Sequence, residues 1–222
     1  MSYFLVQEHE ALTAGHGQAY VEFQSAYNKL LELHNAVYPR LRNHNLDLHP
    51  RWQKSSIITQ ESAAALEQSA TLVLPYFRSR EQAEMVERLM GREQMGQPGG
   101  LDTYRHPVIE LRLTPQAFAI ELILSPYAWW DQQNFIGKLE LPHHRATLRD
   151  LLIHMDADYC FGFWQGLELC EMHLANCELR RGKIMDEWMD TFAEGQDWLR
   201  VGRWYAPEAP ALERSNILNE VF

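Results

Sequence analysis

The sequence predicts a single α+β domain, a mainly antiparallel sheet packed against helices, and three observations carry that prediction. Residues 107–126 alternate apolar and polar side chains with period two on either side of a short break, the pattern of a hairpin. The elements run helix, strand, helix, hairpin, helix, strand, helix, strand, an order that suits an antiparallel sheet with helices against it. A chain of 222 residues, 46% hydrophobic and 23% charged, can bury one sizeable core and has the composition of an ordinary folded protein.

Taken in order, residues 1–16 are polar and mixed and read as a loosely ordered lead-in. They lack a basic segment followed by an apolar core, so no secretory signal is expected and a cytoplasmic location is. From Gln18 onward, Tyr20, Phe23, Tyr27, Leu30, His34, Val37 and Leu41 recur at spacings of three and four, one stripe of a long amphipathic helix. Pro39 would break or kink its last turn. The loop 43–50 holds His44, Asp47 and His49, at spacings that match no metal-ligand pattern. A helical patch at 62–67 precedes a strand at 70–77, which Pro75 would either place at a sheet edge or end. Ser79 then starts a helix with Ala83, Val86, Leu89 and Met90 inward. The Gly-rich stretch 96–100 has no strand before it and no Lys-Ser/Thr opening a helix after it. It is not a phosphate loop, and no cofactor is expected.

The hairpin organises the rest. Ile109, Leu111 and Leu113 alternate with Glu110 and Arg112; after Thr114-Pro115-Gln116-Ala117, Phe118, Ile120, Leu122 and Leu124 alternate with Ala119, Glu121 and Ile123. A four-residue loop sets Leu113 opposite Phe118, Leu111 opposite Ile120 and Ile109 opposite Leu122. Glu110 then faces Glu121, an unfavourable pair unless a cation lies between them, and Arg112 is on that face. Ser125 to Asn134 reads as a Pro-initiated loop carrying Trp129 and Trp130. Pro142 opens a helix through Leu148, Leu151, Leu152 and Met155, and 159–169 reads as a strand. The next segment, CEMHLANC, would set Cys170, His173 and Cys177 on one face if helical. It lacks a fourth ligand, so no metal is expected there. A helix at 184–193 stops at Gly195, and a strand at 197–205 alternates Leu199, Val201 and Arg203 with Trp198, Arg200, Gly202 and Trp204. Residues 207–222 form a docking tail whose Ile217, Leu218, Val221 and Phe222 would meet the body or a second subunit.

On the sheet face away from the helices this reading collects Glu110, Arg112, Glu121, Trp164, Trp198, Arg200 and Trp204. Two functions follow. The first is a non-enzymatic binding module, in which an open, tryptophan-walled face holds a small ligand or partner and Arg112 and Arg200 fix an anionic group. The second is a hydrolase in which Glu110 and Glu121 share a proton or hold a divalent cation. The plainer alternative is that the arginines neutralise the glutamates in an architectural network. There is no Gly-x-Ser-x-Gly and no His-Glu-x-x-His to support catalysis. A net charge of −10, from 30 acidic against 20 basic residues, speaks against nucleic acid. No apolar run reaches the roughly 18 residues of a membrane span. The odd cysteine count fits a reducing compartment, and a homodimer through the tail or the Trp129–Trp130 loop suits either function.

From Tyr104 to Glu208, about half the chain, the order of elements resembles that of the uncharacterised bacterial YktB-like family. The hairpin opening at His106-Pro107-Val108-Ile109-Glu110-Leu111 and returning over Phe118 to Pro126, the helix 145–155, the strand 159–164 and the late strand 198–205 leading to Pro207-Glu208 carry the likeness. The Trp129–Trp130 segment and CEMHLANC depart from it. The resemblance implies an α+β fold and carries over no functional residue.

Overall fold

The computed structural model describes residues 1–13, 19–51, 56–65, 70–91 and 103–222. The Gly-rich stretch 96–100 and the end of the helical patch expected at 62–67 lie outside them; residues 62–65 form a turn. The chain is an α+β domain. Strands β1 (His49–Pro50), β2 (Leu72–Phe77), β3 (Val108–Leu113), β4 (Phe118–Leu124), β5 (Cys160–Phe163), β6 (Leu174–Ala175) and β7 (Leu199–Tyr205) form one sheet, ordered β1-β2-β3-β4-β7-β5-β6. Every pairing is antiparallel. Around it stand α1 (Val6–Glu10), α2 (Tyr20–Asn43), α3 (Arg80–Leu89), α4 (Trp129–Leu139), α5 (Pro142–His154), α6 (Asn176–Leu179), α7 (Gly182–Asp190) and α8 (Ile217–Val221).

The β3–β4 hairpin has the register its loop length dictates, with Leu113 opposite Phe118 and Glu110 opposite Glu121. Thr114 locks the turn: its hydroxyl accepts from the Gln116 and Ala117 amides at 3.2 and 3.0 Å, a side-chain mimic of a backbone turn. Pro75 lies in β2, whose outer edge is only partly paired. Val73 exchanges both backbone bonds with Thr59 there, so by alternation the imide nitrogen of Pro75 also faces outward, where no ladder bond is lost.

One sheet face carries two separate apolar clusters. In the first, Leu72, Leu74, Tyr76, Leu111, Leu113, Phe118, Ile120 and Tyr205 pack against α2 and the two chain ends; in the second, Leu124, Phe161 and Leu199 pack against α5 and α7 through Leu152, Met185 and Trp188. On the opposite face a smaller cluster joins Phe77, Val108 and Ile123 to Ala63, Ala64 and Trp198.

Several expectations are corrected. The lead-in is packed over residues 1–13: Phe4 is fully buried, and the Glu8 carboxylate accepts from Lys29 at 2.7 Å, Ser25 at 2.5 Å and the Leu5 amide at 2.7 Å. Its polar residues are consumed by partners distant in sequence, which local patterning does not show. Helix α2 runs through Pro39 to Asn43, the ladder resuming with His44 N–H to Arg40 at 3.0 Å, and Tyr20 at its start is exposed. The Trp129–Trp130 loop is instead a 3-10 turn, Pro126–Ala128, running directly into α4. Pro126 is preset for the first turn and Asp131 complements its positive end. Strand β5 ends at Phe163, since 164–168 turns over the sheet. Leu89 of α3 is exposed rather than inward. The tail docks on its own body, with Leu212 and Ile217 fully buried in the first cluster.

Candidate functional site

Alternation and register bring all seven predicted site residues to one face, and the face is closed. Glu110, Arg112, Glu121 and Arg200 are each at most 1% exposed. Arg112 donates to Glu110 at 2.9 Å and to Glu121 at 2.6 Å, and Arg200 donates through Nε to the other oxygen of Glu121. Two carboxylates and two guanidinium groups form a neutral quartet, the condition on which buried charge is tolerated. Two turns seal it. Glu110 accepts from the Ser62 hydroxyl at 2.6 Å and the Ala63 amide at 2.7 Å. Arg112 donates to the Leu167 carbonyl at 2.9 Å, and Arg200 to Gly166 at 2.5 Å. The turns join through Gly166 N–H to Ala64 at 2.8 Å, while the Trp198 indole donates to Ala63 at 2.9 Å.

The open, ligand-accepting face expected from these residues is therefore corrected: the segments 62–64 and 164–167 cover the quartet and take up further donors and acceptors of it, while Arg112 Nε and Arg200 Nη2, both buried, have no partner among the described residues. Electrostatics agree. Burial alone would lower the Arg112 pKa, but Glu121 and Glu110 outweigh it and raise the value, whereas for Arg200 burial outweighs Glu121 and lowers it. Both remain cations at neutral pH. At the rim, Trp164 and Trp204 are half-buried with ring centroids 5.7 Å apart, and the Arg200 guanidinium carbon lies 4.6 Å and 5.7 Å from them. Trp164 lies flat on Gly162, where any Cβ would collide with the ring.

The helical face holds a feature that sequence reasoning missed. Leu122, central to the middle strand β4, is 37% exposed and belongs to neither cluster. Its cross-strand neighbours are Ile109 on β3 and Val201 on β7, both half-buried. Ile109 packs against the first cluster and Val201 against the second, so the two helical groups part over this row, and the exposed side chain of Leu122 marks the gap between them. The row continues at one end to Tyr76, whose hydroxyl bonds His34 Nδ1 at 3.0 Å. Beside it on β7, Arg203 ties Asp156 at 3.1 Å and Asp158 at 3.2 Å to Glu220 of α8 at 3.0 Å, a polar clip between the two groups. Leu122 carries no sequence signal of its own: it alternates like every core residue of the hairpin, and only the placement of distant helices leaves it bare.

The Cys170–Cys177 segment is a turn, then β6, then α6, so Cys170, His173 and Cys177 do not share a helix face. Among the described residues no group of three or more His, Cys, Asp or Glu is placed to hold a metal ion, and no helix is long and apolar enough to cross a membrane. No model of a known protein family matches the chain, and no curated protein matches it.

Proposed function

We propose that the protein is a non-enzymatic binding module and that the gap over Ile109, Leu122 and Val201 is a channel that takes a small, largely apolar ligand. The supporting observation is the bare Leu122 side chain at the centre of a seven-stranded sheet. Apolar surface at the middle of a sheet is normally covered, and a recessed apolar floor with a few polar groups at its margins is the usual form of a small-molecule site. The floor spans three strands, roughly 10 Å at the usual strand spacing. A floor of that width suits a small molecule or a single hydrocarbon chain.

The anionic ligand expected from Arg112 and Arg200 is not what this channel recruits, because both guanidinium groups are neutralised on the other face. The hydrolase reading loses its basis in the same quartet. All four carboxylate oxygens of Glu110 and Glu121 already accept hydrogen bonds, and a divalent cation beside them would face two buried arginines.

The test is titration with the neutral dye Nile red. The native chain should give a saturable rise in emission, and Leu122→Glu should abolish it in a chain that still unfolds cooperatively. Equal dye binding by that variant, or a concentration-dependent dimer that excludes the dye, would overturn the reading.

A further inference from the structure

We infer that Tyr38 is a nucleophile, with His49 as its general base and Asp47 positioning the imidazole, and that it accepts the acyl group of small activated esters. The three residues are held by a defined stop and return of the chain. Helix α2 ends on two bonds that close its last turn, Asn45 N–H to Arg42 at 3.1 Å and Leu46 N–H to Leu41 at 3.0 Å. Asn45 takes the left-handed conformation that such a stop requires, with φ 55°. The chain then turns back along the helix, and β1 pins the return by setting His49 opposite Phe77.

The hydrogen bonds assign the roles. His49 Nε2 lies 2.8 Å from Asp47 Oδ1, and its Nδ1 lies 3.1 Å from the Tyr38 hydroxyl. A carboxylate only accepts, so Nε2 carries the proton, and Nδ1 of the neutral ring is left to accept from the phenol. The bond from His49 also holds the Asp47 carboxyl below its ordinary value, so a carboxylate faces the imidazolium when that forms. Hydroxyl, imidazole and carboxylate in that order are the arrangement by which a weak nucleophile is activated, recognised by geometry rather than by sequence position. His34 sets the phenol ring, stacked on it with centroids 5.2 Å apart and planes at 18°. Unlike the quartet, this group reaches water: the His49 and Asp47 side chains are 22% and 44% exposed, and Tyr38 is half-buried beside them.

In the transfer, the Tyr38 oxygen attacks the ester carbonyl carbon while its proton passes to His49 Nδ1. The new C–O bond forms, the bond to the leaving oxygen breaks, and the leaving group departs with that electron pair. His49 then gives the proton to the leaving oxygen or to water, and the product is an acyl ester of Tyr38. The site does not depend on the channel over Leu122.

The full chain is treated with p-nitrophenyl acetate at neutral pH, and acetylated residues are located and timed by peptide mass spectrometry. Tyr20 and Tyr127, 64% and 52% exposed, are references within the same chain: each is more open than Tyr38, and neither hydroxyl bonds a histidine among the described residues. Tyr38 should be acetylated about a hundredfold faster than either, the lower end of what a positioned base contributes, and in His49→Gln its rate should fall to theirs or below. Asp47→Asn should slow the reaction and move the plateau of its pH profile to lower pH, because the carboxylate no longer favours the imidazolium; an unmoved plateau removes Asp47 from the inference. Acetylation of Tyr38 no faster than of the references, acetyl on His49 in its place, or an unchanged rate in His49→Gln overturns the inference. If His49→Gln does not fold, the native pH profile decides: a rate that levels off once the imidazole is neutral supports the base, and one that climbs to about pH 10, as for an unassisted phenol, overturns it.

Discussion

Glu121 serves two arginines at once, so its loss does more damage than that of any surface acid. Glu121→Gln would leave Arg112 and Arg200 buried with half their compensation. It should lower unfolding free energy by about 3–5 kcal/mol in urea titration, whereas Asp158→Asn, at an exposed ion pair, should cost less than about 1 kcal/mol. His9 sets a second residue-scale expectation. It is fully buried, and its Nδ1 lies 2.7 Å from the Thr114 carbonyl, which can only accept, so Nδ1 carries the proton. Its Nε2 has no partner among the described residues, and burial lowers its pKa from the ordinary 6.5. Protons therefore bind the unfolded histidine more readily. The stability this residue contributes is complete above pH 6.5 and is lost as the pH falls below that value toward the folded pKa. His34, also lowered by burial, adds in the same direction. Unfolding midpoints measured from pH 7.5 to 5 should fall, and fall less steeply in His9→Asn, whose amide can still donate to Thr114.

At the scale of elements, the segment that resisted sequence reading has a clear task. Asn176, fully buried at the start of α6, donates to the carbonyls of Leu152, Met155 and Asp156, each at 2.9 Å, and Arg180 adds bonds to Leu152 at 2.9 Å and Met155 at 2.5 Å. Together they satisfy the open carbonyls at the end of α5. Asn176→Leu should cost about 1–3 kcal/mol, with amide exchange accelerated first in the last turn of α5. The hairpin was legible because strand alternation and a four-residue loop are local facts, and they placed Glu110 against Glu121. Helix α4 was not, because its adjacent tryptophans look like loop residues until Gln132 is seen bonding the carbonyls of Leu124, Ser125 and Asp197 at 2.8–3.1 Å. Such long-range bonds have no periodicity.

For the whole molecule, the fold class and the face on which the seven polar and aromatic residues gather could be read from alternation alone. Whether that face was open could not, because its cover comes from 62–64 and 164–167 largely through backbone groups, and backbone has no letter in a sequence. The same limit hid the exposure of Leu122, which comes from the parting of two clusters rather than from the residues of its own strand. The outermost strands have a further consequence. β1 and β6 are two residues long, and the exposed side of β2 is interrupted by its bridge to Thr59 and by Pro75. Among the described residues, an extended chain arriving from another molecule would find no continuous row of donors and acceptors to zip onto. Despite its seven strands the protein is thereby guarded against fibril growth, and its solubility should survive concentrations at which a sheet with long bare borders would aggregate.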